Sequence, residues 1–233
     1  MSMGVDKFKG FLDFAAANGI NDVYFYGIDE AKGDKLVAQR DAWTAIRKAG
    51  GKIFVAGYTG ENFKKMGDIQ DLNICAFYPD KAEAEKWHSK QHKIWCYANP
   101  QGGVENPEVY RRNYGLLLWL NNYDGAATYA YQHSFGNIWN DFDNRDYRDH
   151  NFTYPTVDGV IDTIAWEGYR EGVDDIRYLT KLQQLISSAD KSGDKKRKDT
   201  AVKAREYLKT IDADNDDLNE VRSKMINYIL QLS

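Results

Sequence analysis

Asp29 and Glu30 stand side by side where an apolar, aromatic, strand-like run, Tyr24-Phe25-Tyr26-Gly27-Ile28, stops abruptly. Two adjacent carboxyl groups suit proton transfer, one giving or taking a proton while the other stabilises positive charge that develops beside it. Neighbouring side chains on a strand diverge, so the two acids would do different work rather than duplicate one another. Two acids ahead of a helix are also a common solvated loop start, favoured by the helix dipole, and the pair alone leaves that reading open.

The elements that must hold such a pair alternate along the chain. A helix over 7–18, with Phe8, Phe11, Leu12 and Ala15 on one stripe, ends at Gly19. Strand-like runs follow at 22–28, 52–58, 72–78, 93–98 and 126–132, separated by helices at 34–49, 61–66, 81–91 and 107–122. Near-continuous apolar strands between helices predict a parallel sheet covered on both faces, which fits either a doubly wound sheet or a barrel. Three strands finish in polar or aromatic groups at matched positions: Asp29-Glu30, Tyr97-Ala98-Asn99 and Tyr131-Gln132-His133. Convergence at one rim favours a barrel, whose functional groups gather at the carboxyl ends of the strands. Five strands are too few for eight, so the expected fold is α/β, the C-terminal portion (about five β/α units) of a TIM (β/α)8 barrel, followed by a helical tail. Its two open sheet edges, 22–28 and 126–132, call for the missing N-terminal half of the barrel or a partner to cover them.

Residues 134–162 read as a long loop rich in Asn, Asp, Tyr and Trp, a candidate lid. A helix at 164–187, a charged connector at 190–198 read as a solvated turn, and helices at 201–211 and 218–232 complete the chain. The expected division is a catalytic domain over 1–187 and a helical extension over 188–233 packed on the barrel.

Composition narrows the function classes. The net charge of -4 and the lack of a large basic patch argue against nucleic acid as a partner. No stretch approaches the length of a membrane span. Met1-Ser2-Met3-Gly4-Val5-Asp6-Lys7 has no apolar run behind it and does not read as a signal peptide; an extracellular or periplasmic location would follow only from a leader on a parent chain. The 16 Tyr and 6 Trp offer flat faces on which sugar rings stack, though they equally fill cores. Cys75 and Cys96 read as buried thiols on neighbouring strands, a disulfide being the minority alternative. His88 and His92 have a metal-capable spacing, but no Glu follows His88 and the flanking lysines suggest a surface face. The stretch Asp212-Ala213-Asp214-Asn215-Asp216 imitates a calcium loop until Asp217 and Ser223 occupy the positions that need Gly and Glu. No metal and no cofactor is expected. Asn151-Phe152-Thr153 meets the glycosylation pattern, relevant only in a eukaryotic secretory setting.

Tyr154-Pro155 and the run from Ala165-Trp166-Glu167 through Arg170-Glu171-Gly172 and Asp175 to Tyr178-Leu179 resemble the closing helix of the catalytic domain of glycoside hydrolase family 123, with its pattern R-W-E-x-x-R-E-G-x-x-D-x-x-Y-L. Lys93-Ile94-Trp95-Cys96-Tyr97, the helix bearing Trp119 and the strand from Gly125 to Tyr131 resemble the two units before it. Asp29-Glu30 falls where that family keeps a catalytic Asp-Glu pair, and the resemblance spans residues 20–187. Ala165 stands where Arg is frequent and Ala31 where Pro is, the first a possible change to a buried ion pair of the closing helix.

The resemblance implies a β-N-acetylgalactosaminidase working by substrate-assisted retention, in which the sugar's own 2-acetamido oxygen attacks the anomeric carbon. On that reading Glu30 protonates the leaving oxygen and later deprotonates water, and Asp29 accepts a hydrogen bond from the acetamido N–H. Glu30 should then be kept protonated, with Tyr24 and Tyr26 as its expected neighbours. Tyr26, Tyr58, Tyr97, Asn99, Tyr131 and His133 would bind the sugar, with Trp139 as a stacking face; each is equally open to a structural role. Asp141 and Asp143 read as solvated. The alternatives are a glycosidase of other sugar specificity, with a loop Asp as nucleophile or base, and a catalytically silent carbohydrate-binding or structural barrel fragment.

Overall fold

Short apolar strands, each followed by a helix, leave parallel pairing as the only simple way to join neighbours, and the computed structural model follows that rule. It describes residues 5–103 and 105–233, so part of the N-terminal segment read above for a leader lies outside the described residues. In chain order the elements are α1 (Val5–Ala17), β1 (Tyr24–Tyr26), α2 (Gly33–Val37), α3 (Arg40–Ala49), β2 (Lys52–Gly57), α4 (Glu61–Met66), β3 (Leu72–Ala76), α5 (Lys81–His88), β4 (Lys93–Tyr97), α6 (Pro107–Asn113), α7 (Leu116–Leu120), β5 (Gly125–Ala126), β6 (Thr153–Pro155), β7 (Val160–Asp162), α8 (Ile164–Asp190), α9 (Lys195–Lys209) and α10 (Leu218–Leu232). The fold is mixed α/β: a five-stranded parallel sheet in partial-barrel order, β1-β2-β3-β4-β5, with a helical C-terminal tail.

The chain resolves into two compact units. The first comprises Met1–Asn99 and Asn121–Tyr129, the second Pro100–Leu120 and Ala130–Ser233.

In the first unit the strands alternate strictly. Ile53 and Val55 face a layer made by Phe8, Leu36, Trp43, Ile46 and Met66, while Ala56, Leu72, Ile74, Ala76 and Tyr97 fill the opposite face. Register is fixed at Tyr26↔Phe54, Ala56↔Ile74 and Cys75↔Cys96. Both cysteines are buried and free, on adjacent strands as expected.

In the second unit α8, α9 and α10 bury Leu179, Leu182, Ile186, Ala201, Ala204, Leu208, Val221, Met225 and Leu232 in one cluster with Leu116 and Leu117. Caps set the helix starts. Thr163 accepts from Trp166 N, Asp194 from Lys196 N and Arg197 N, and Asp217 from Asn219 N and Glu220 N. Gly168 and Gly172 let α8 lie against α6; a Cβ on Gly168 would fall 2.2 Å from the Pro107 carbonyl oxygen.

Several boundaries differ from the sequence expectation. The 34–49 helix is broken into α2 and α3 at Ala38-Gln39, where the buried Gln39 side chain accepts the Ile28 N–H at 2.6 Å. The 107–122 helix breaks at Gly115, whose missing side chain admits the Gly172 backbone; a Cβ there would lie 2.9 Å from Gly172 Cα. The 126–132 strand shrinks to Gly125–Ala126, and beyond it the Tyr131 carbonyl accepts from Phe152 N and Thr153 N instead. The long loop contains the antiparallel hairpin β6–β7, hidden in sequence by Pro155 and by the short strands. Lys195-Lys196-Arg197-Lys198 is solvated as expected, with its three lysines exposed, but it forms the first turn of α9 behind the Asp194 cap rather than a connector.

Candidate active site

The site is built where β1 runs out. The strand ends at Tyr26, so Asp29 and Glu30 lie in a turn three residues beyond it, not on the strand itself. Gly27 N still donates to Phe54 O at 3.0 Å, and Glu30 N donates to Ala56 O at 3.1 Å, which keeps the turn in step with β2. Gly27 has no alternative, because a Cβ there would sit 2.7 Å from the Trp43 ring. Glu30 itself is left-handed, with φ 47°, as are Phe77 (φ 71°) after β3 and Ala98 (φ 52°) after β4. Non-glycine residues avoid this region, and held there they turn a side chain away from the strand direction. The two carboxylates therefore diverge, as the sequence implied, but through a turn rather than through strand alternation.

Each acid has its own tyrosine. Tyr26 donates its hydroxyl to Asp29 Oδ1 at 2.6 Å. Tyr58 donates to Glu30 Oε2 at 2.5 Å, and Tyr97 donates to Glu30 Oε1. Lys32 Nζ lies 3.9 Å from the Tyr58 ring centroid, close enough for a cation–π contact. Tyr58 is positioned from behind: its N–H reaches Asn62 Oδ1, and Asn62, Gln70 and Asn73 form a fully buried chain of amides. Among these, Lys32 and the amide chain went unnoticed in the sequence. Lys32 had one signal, its place two residues after Glu30; the amides had none, since their burial depends on tertiary packing.

The hydrogen bonds from Tyr58 and Tyr97, with help from the charge of Lys32, hold the Glu30 carboxyl below the usual glutamate range, although partial burial opposes them. This corrects the expectation of a Glu30 kept protonated beside Tyr24 and Tyr26. Tyr26 donates its hydrogen bond to Asp29, and Tyr24 packs edge-on against Phe54. Tyr26 is pushed up to about 12 by burial and by its bond to Asp29, and Tyr58 to about 12 by its bond to Glu30 and by burial. Burial and then Glu30 raise Tyr97. All three phenols stay protonated donors at neutral pH.

Of the other candidates, Asn99 follows β4 in the same unit and hydrogen-bonds the Cys96 thiol. Tyr131, His133 and Trp139 belong to the second unit. There Tyr131 stands edge-on to Trp166 at 5.7 Å, His133 packs edge-on to Phe135 at 4.9 Å, and Trp139 stacks on Tyr154 at 5.3 Å. Asp143 accepts from Asn137 N at 2.6 Å. Asp141 is not the solvated residue expected: it pairs with Arg148 and accepts from Asp149 N, with a side chain only 11% exposed. His88 bonds Asp124 and Asn122, and among the described residues no group of three or more His, Cys, Asp or Glu is arranged to hold a metal ion.

The family model of the glycoside hydrolase 123 catalytic domain matches residues 5–182. The chain belongs to glycoside hydrolase family 123. No curated protein matches it. In three dimensions it is similar to a family 123 glycoside hydrolase from Clostridium perfringens studied for glycolipid glycan hydrolysis, with 15% sequence identity and a TM-score of 0.65. That superposition covers 97% of this chain and 44% of the other, so the chain spans less than half the length of the protein it resembles. At that identity the likeness speaks for the fold.

The R-E-G-x-x-D segment that resembles the family pattern is built into the packing of the helices. Asp175, fully buried, accepts from Arg111 Nε at 2.8 Å and from Arg222 Nε at 2.5 Å, and Arg222 also bonds Glu171 at 2.5 Å. Gly172, in the same segment, admits α6. Ala165, the departure from the family pattern, is buried ten residues upstream of this ion-pair cluster and takes no part in it.

Proposed function

We propose that the Asp29–Glu30 pair serves hydrolysis of a terminal β-linked N-acetylgalactosamine, a 2-acetamido sugar, by substrate-assisted retaining catalysis. The observation that supports it is the division of labour between the acids: one tyrosine on Asp29, two on Glu30, and the side chains turned apart by a left-handed backbone. In the first step the acetamido oxygen bonds to the anomeric carbon, the glycosidic bond breaks, and the leaving oxygen takes a proton from Glu30. Asp29 accepts the acetamido N–H and offsets the charge of the oxazolinium-like intermediate. In the second step water attacks the anomeric carbon, gives its proton to Glu30, and restores the acetamido group.

An ionised Glu30 suits the second step directly. The first step needs the acid form, and the bound sugar supplies the reason for it: by covering the carboxylate and competing for the Tyr58 and Tyr97 hydroxyls it removes the groups that hold the pKa down. The pH profile of kcat/KM reports the free enzyme and that of kcat the complex, so the alkaline limb of kcat should lie at higher pH than that of kcat/KM. Tyr26, Tyr58, Tyr97 and Asn99 in the first unit, and Tyr131, His133 and Trp139 in the second, are proposed sugar contacts. Residues 1–187 are proposed as the catalytic domain and 188–233 as an extension packed on it. The N-terminal half of the barrel, or a partner, is proposed to cover β1 and β5, which end the strand order.

A second reading draws on the closed cluster itself. With both Glu30 oxygens satisfied by tyrosines, the group is also suited to a silent carbohydrate-binding or structural role. Hydrolysis of aryl 2-acetamido-2-deoxy-β-galactoside, the gluco epimer and plain β-galactoside, with Glu30→Gln as control, separates the readings. Activity confined to the acetamido galactoside and lost in Glu30→Gln supports the proposal. Activity on plain galactoside points to another glycosidase, and sugar binding without turnover, unchanged in Glu30→Gln, to the silent role.

A further inference from the structure

Phe77, in the first unit, follows β3 and is 62% exposed, yet it holds φ 71°. A bulky residue seldom adopts the left-handed conformation, and one that does is kept there by its surroundings, commonly at a functional site. Both backbone groups of Phe77 are fixed: its N–H donates to Tyr97 O at 2.9 Å, and its carbonyl accepts from Cys96 Sγ at 3.1 Å. Core packing does not account for the conformation, because the ring stays in solvent.

The turn decides where the ring goes. Asn73 and Cys75 are the register partners of Val55 and Gly57, so strict alternation would put residue 77 on the face of Ile53 and Val55, away from Ala56, Ala76 and Tyr97. Instead the Phe77 ring centroid lies 6.2 Å from that of Tyr58, at an interplanar angle of 37°, and Tyr58 is the donor to Glu30 Oε2. The ring therefore joins the cluster on the Glu30 side of the acid pair, whereas Asp29 has Tyr26.

We propose that Phe77 is a specificity-determining residue that presents an apolar face to the ring of a leaving sugar. This rests on the acetamido-sugar reading and deepens it. In that mechanism Glu30 protonates the leaving oxygen, so a group beside Glu30 and away from Asp29 borders the leaving group rather than the acetamido sugar. A pyranose fits, because it offers a C–H face to an aromatic ring and carries hydroxyls around its edge. The polar groups nearby suit that edge: the Tyr58 hydroxyl, and Lys32 Nζ at 3.9 Å from the Tyr58 ring centroid. An alkyl chain would instead need a continuous apolar groove, and the ring next to Phe77 is a tyrosine that holds a cation. The substrate class is thus an oligosaccharide in which the acetamido sugar is joined to a further sugar.

The test compares kcat/KM of the full chain on three β-linked 2-acetamido-2-deoxy-galactosyl substrates whose leaving groups are fluoride, hexanol and galactose. Phe77→Asn removes the ring and suits the backbone, since Asn tolerates the left-handed conformation, so the variant should melt no lower than the wild type. Its fall in kcat/KM on the disaccharide should exceed that on the fluoride by about tenfold, because fluoride is too small to reach an apolar face. Phe77→Gly, which adopts the same conformation without strain, should show the same difference and decides the matter if Phe77→Asn does not fold. Phe77→Trp, which keeps a flat face, should restore the disaccharide rate to within about threefold of the wild type. Equal losses on fluoride and disaccharide, no loss on either, or a larger loss on the hexyl glycoside than on the disaccharide would overturn the proposal and leave the acetamido-sugar reading in place. A wild-type chain that turns over none of the three substrates refutes that reading, and this proposal with it.

Discussion

Asp175→Asn is the sharpest test of what the R-E-G-x-x-D segment is for. The carboxylate is fully buried and takes hydrogen bonds from two guanidinium groups, Arg111 and Arg222. An amide of the same shape offers one acceptor where there were two charged ones, and turns an NH2 toward a cation. Breaking a buried ion pair by removing one partner typically costs about 3–5 kcal/mol, chiefly because the other charge stays buried. Here the remaining partners soften the loss. Arg111 keeps Asn219 Oδ1 at 2.7 Å and the Leu218 carbonyl at 3.0 Å, and Arg222 keeps Glu171. The expected cost is therefore near the lower end, about 3 kcal/mol, or a fall in Tm of roughly 6–12 °C for a chain of this size. Urea unfolding followed by far-UV circular dichroism measures it. A loss under about 1 kcal/mol would mean that Asp175 is not the keystone joining α6, α8 and α10. The double variant Arg111→Met, Asp175→Leu should recover part of the loss, since it removes one of the two guanidinium groups that Asp175→Asn strands and leaves Arg222 to its remaining partner Glu171.

Three further outcomes follow from the geometry. Tyr97→Phe should raise the Glu30 pKa toward its ordinary value near 4.5; because the wild-type group is held low, its stabilising contribution is complete above that value and lost as pH falls through the lowered one, so acid unfolding should begin at higher pH in the variant. A carboxyl NMR titration that leaves Glu30 unmoved would sink this account of the cluster. Gly168→Ala should cost about 1–3 kcal/mol by overpacking, because its Cβ would meet the Pro107 carbonyl oxygen at 2.2 Å with backbone on both sides; a neutral melting curve would contradict it. Cys96, pushed up to about 12 by burial and by Cys75, should resist iodoacetamide at pH 8 in the native chain and react fully in denaturant; native-state labelling would show the β3–β4 face to be open.

Much of the sheet was legible because its signals are local. Strand cores and intervening helices announce themselves by apolar runs and capping residues, and 61–66 and 218–232 match α4 and α10 residue for residue. What misled were interactions between segments distant in sequence. Nothing local says that the Gln39 side chain will reach Ile28 N–H where the helix breaks, or that Gly115 will meet Gly172. The 126–132 run has strand composition throughout, yet its backbone groups at Tyr131 find partners at Phe152 and Thr153. In the charged connector, charge density masks the single Asp194 that caps a helix there.

The site divides along the same line. Asp29 and Glu30 were readable as a pair, and Tyr26, Tyr58 and Tyr97 as aromatic groups at strand ends, because a parallel sheet brings strand ends together whatever its register. The assignment of tyrosines to acids was not readable, because it turns on a backbone dihedral. Had Glu30 continued the extended conformation, its side chain would share a face with Tyr26, as the sequence suggested. At φ 47° it swings instead to Tyr58 and Tyr97, and Tyr26 is left to Asp29. That one turn converts an acid expected to be kept neutral by an apolar setting into one held ionised by two phenols. On the proposed mechanism it also moves the proton question from the free protein to the complex, where a bound sugar would take over the hydroxyls before Glu30 could act as an acid.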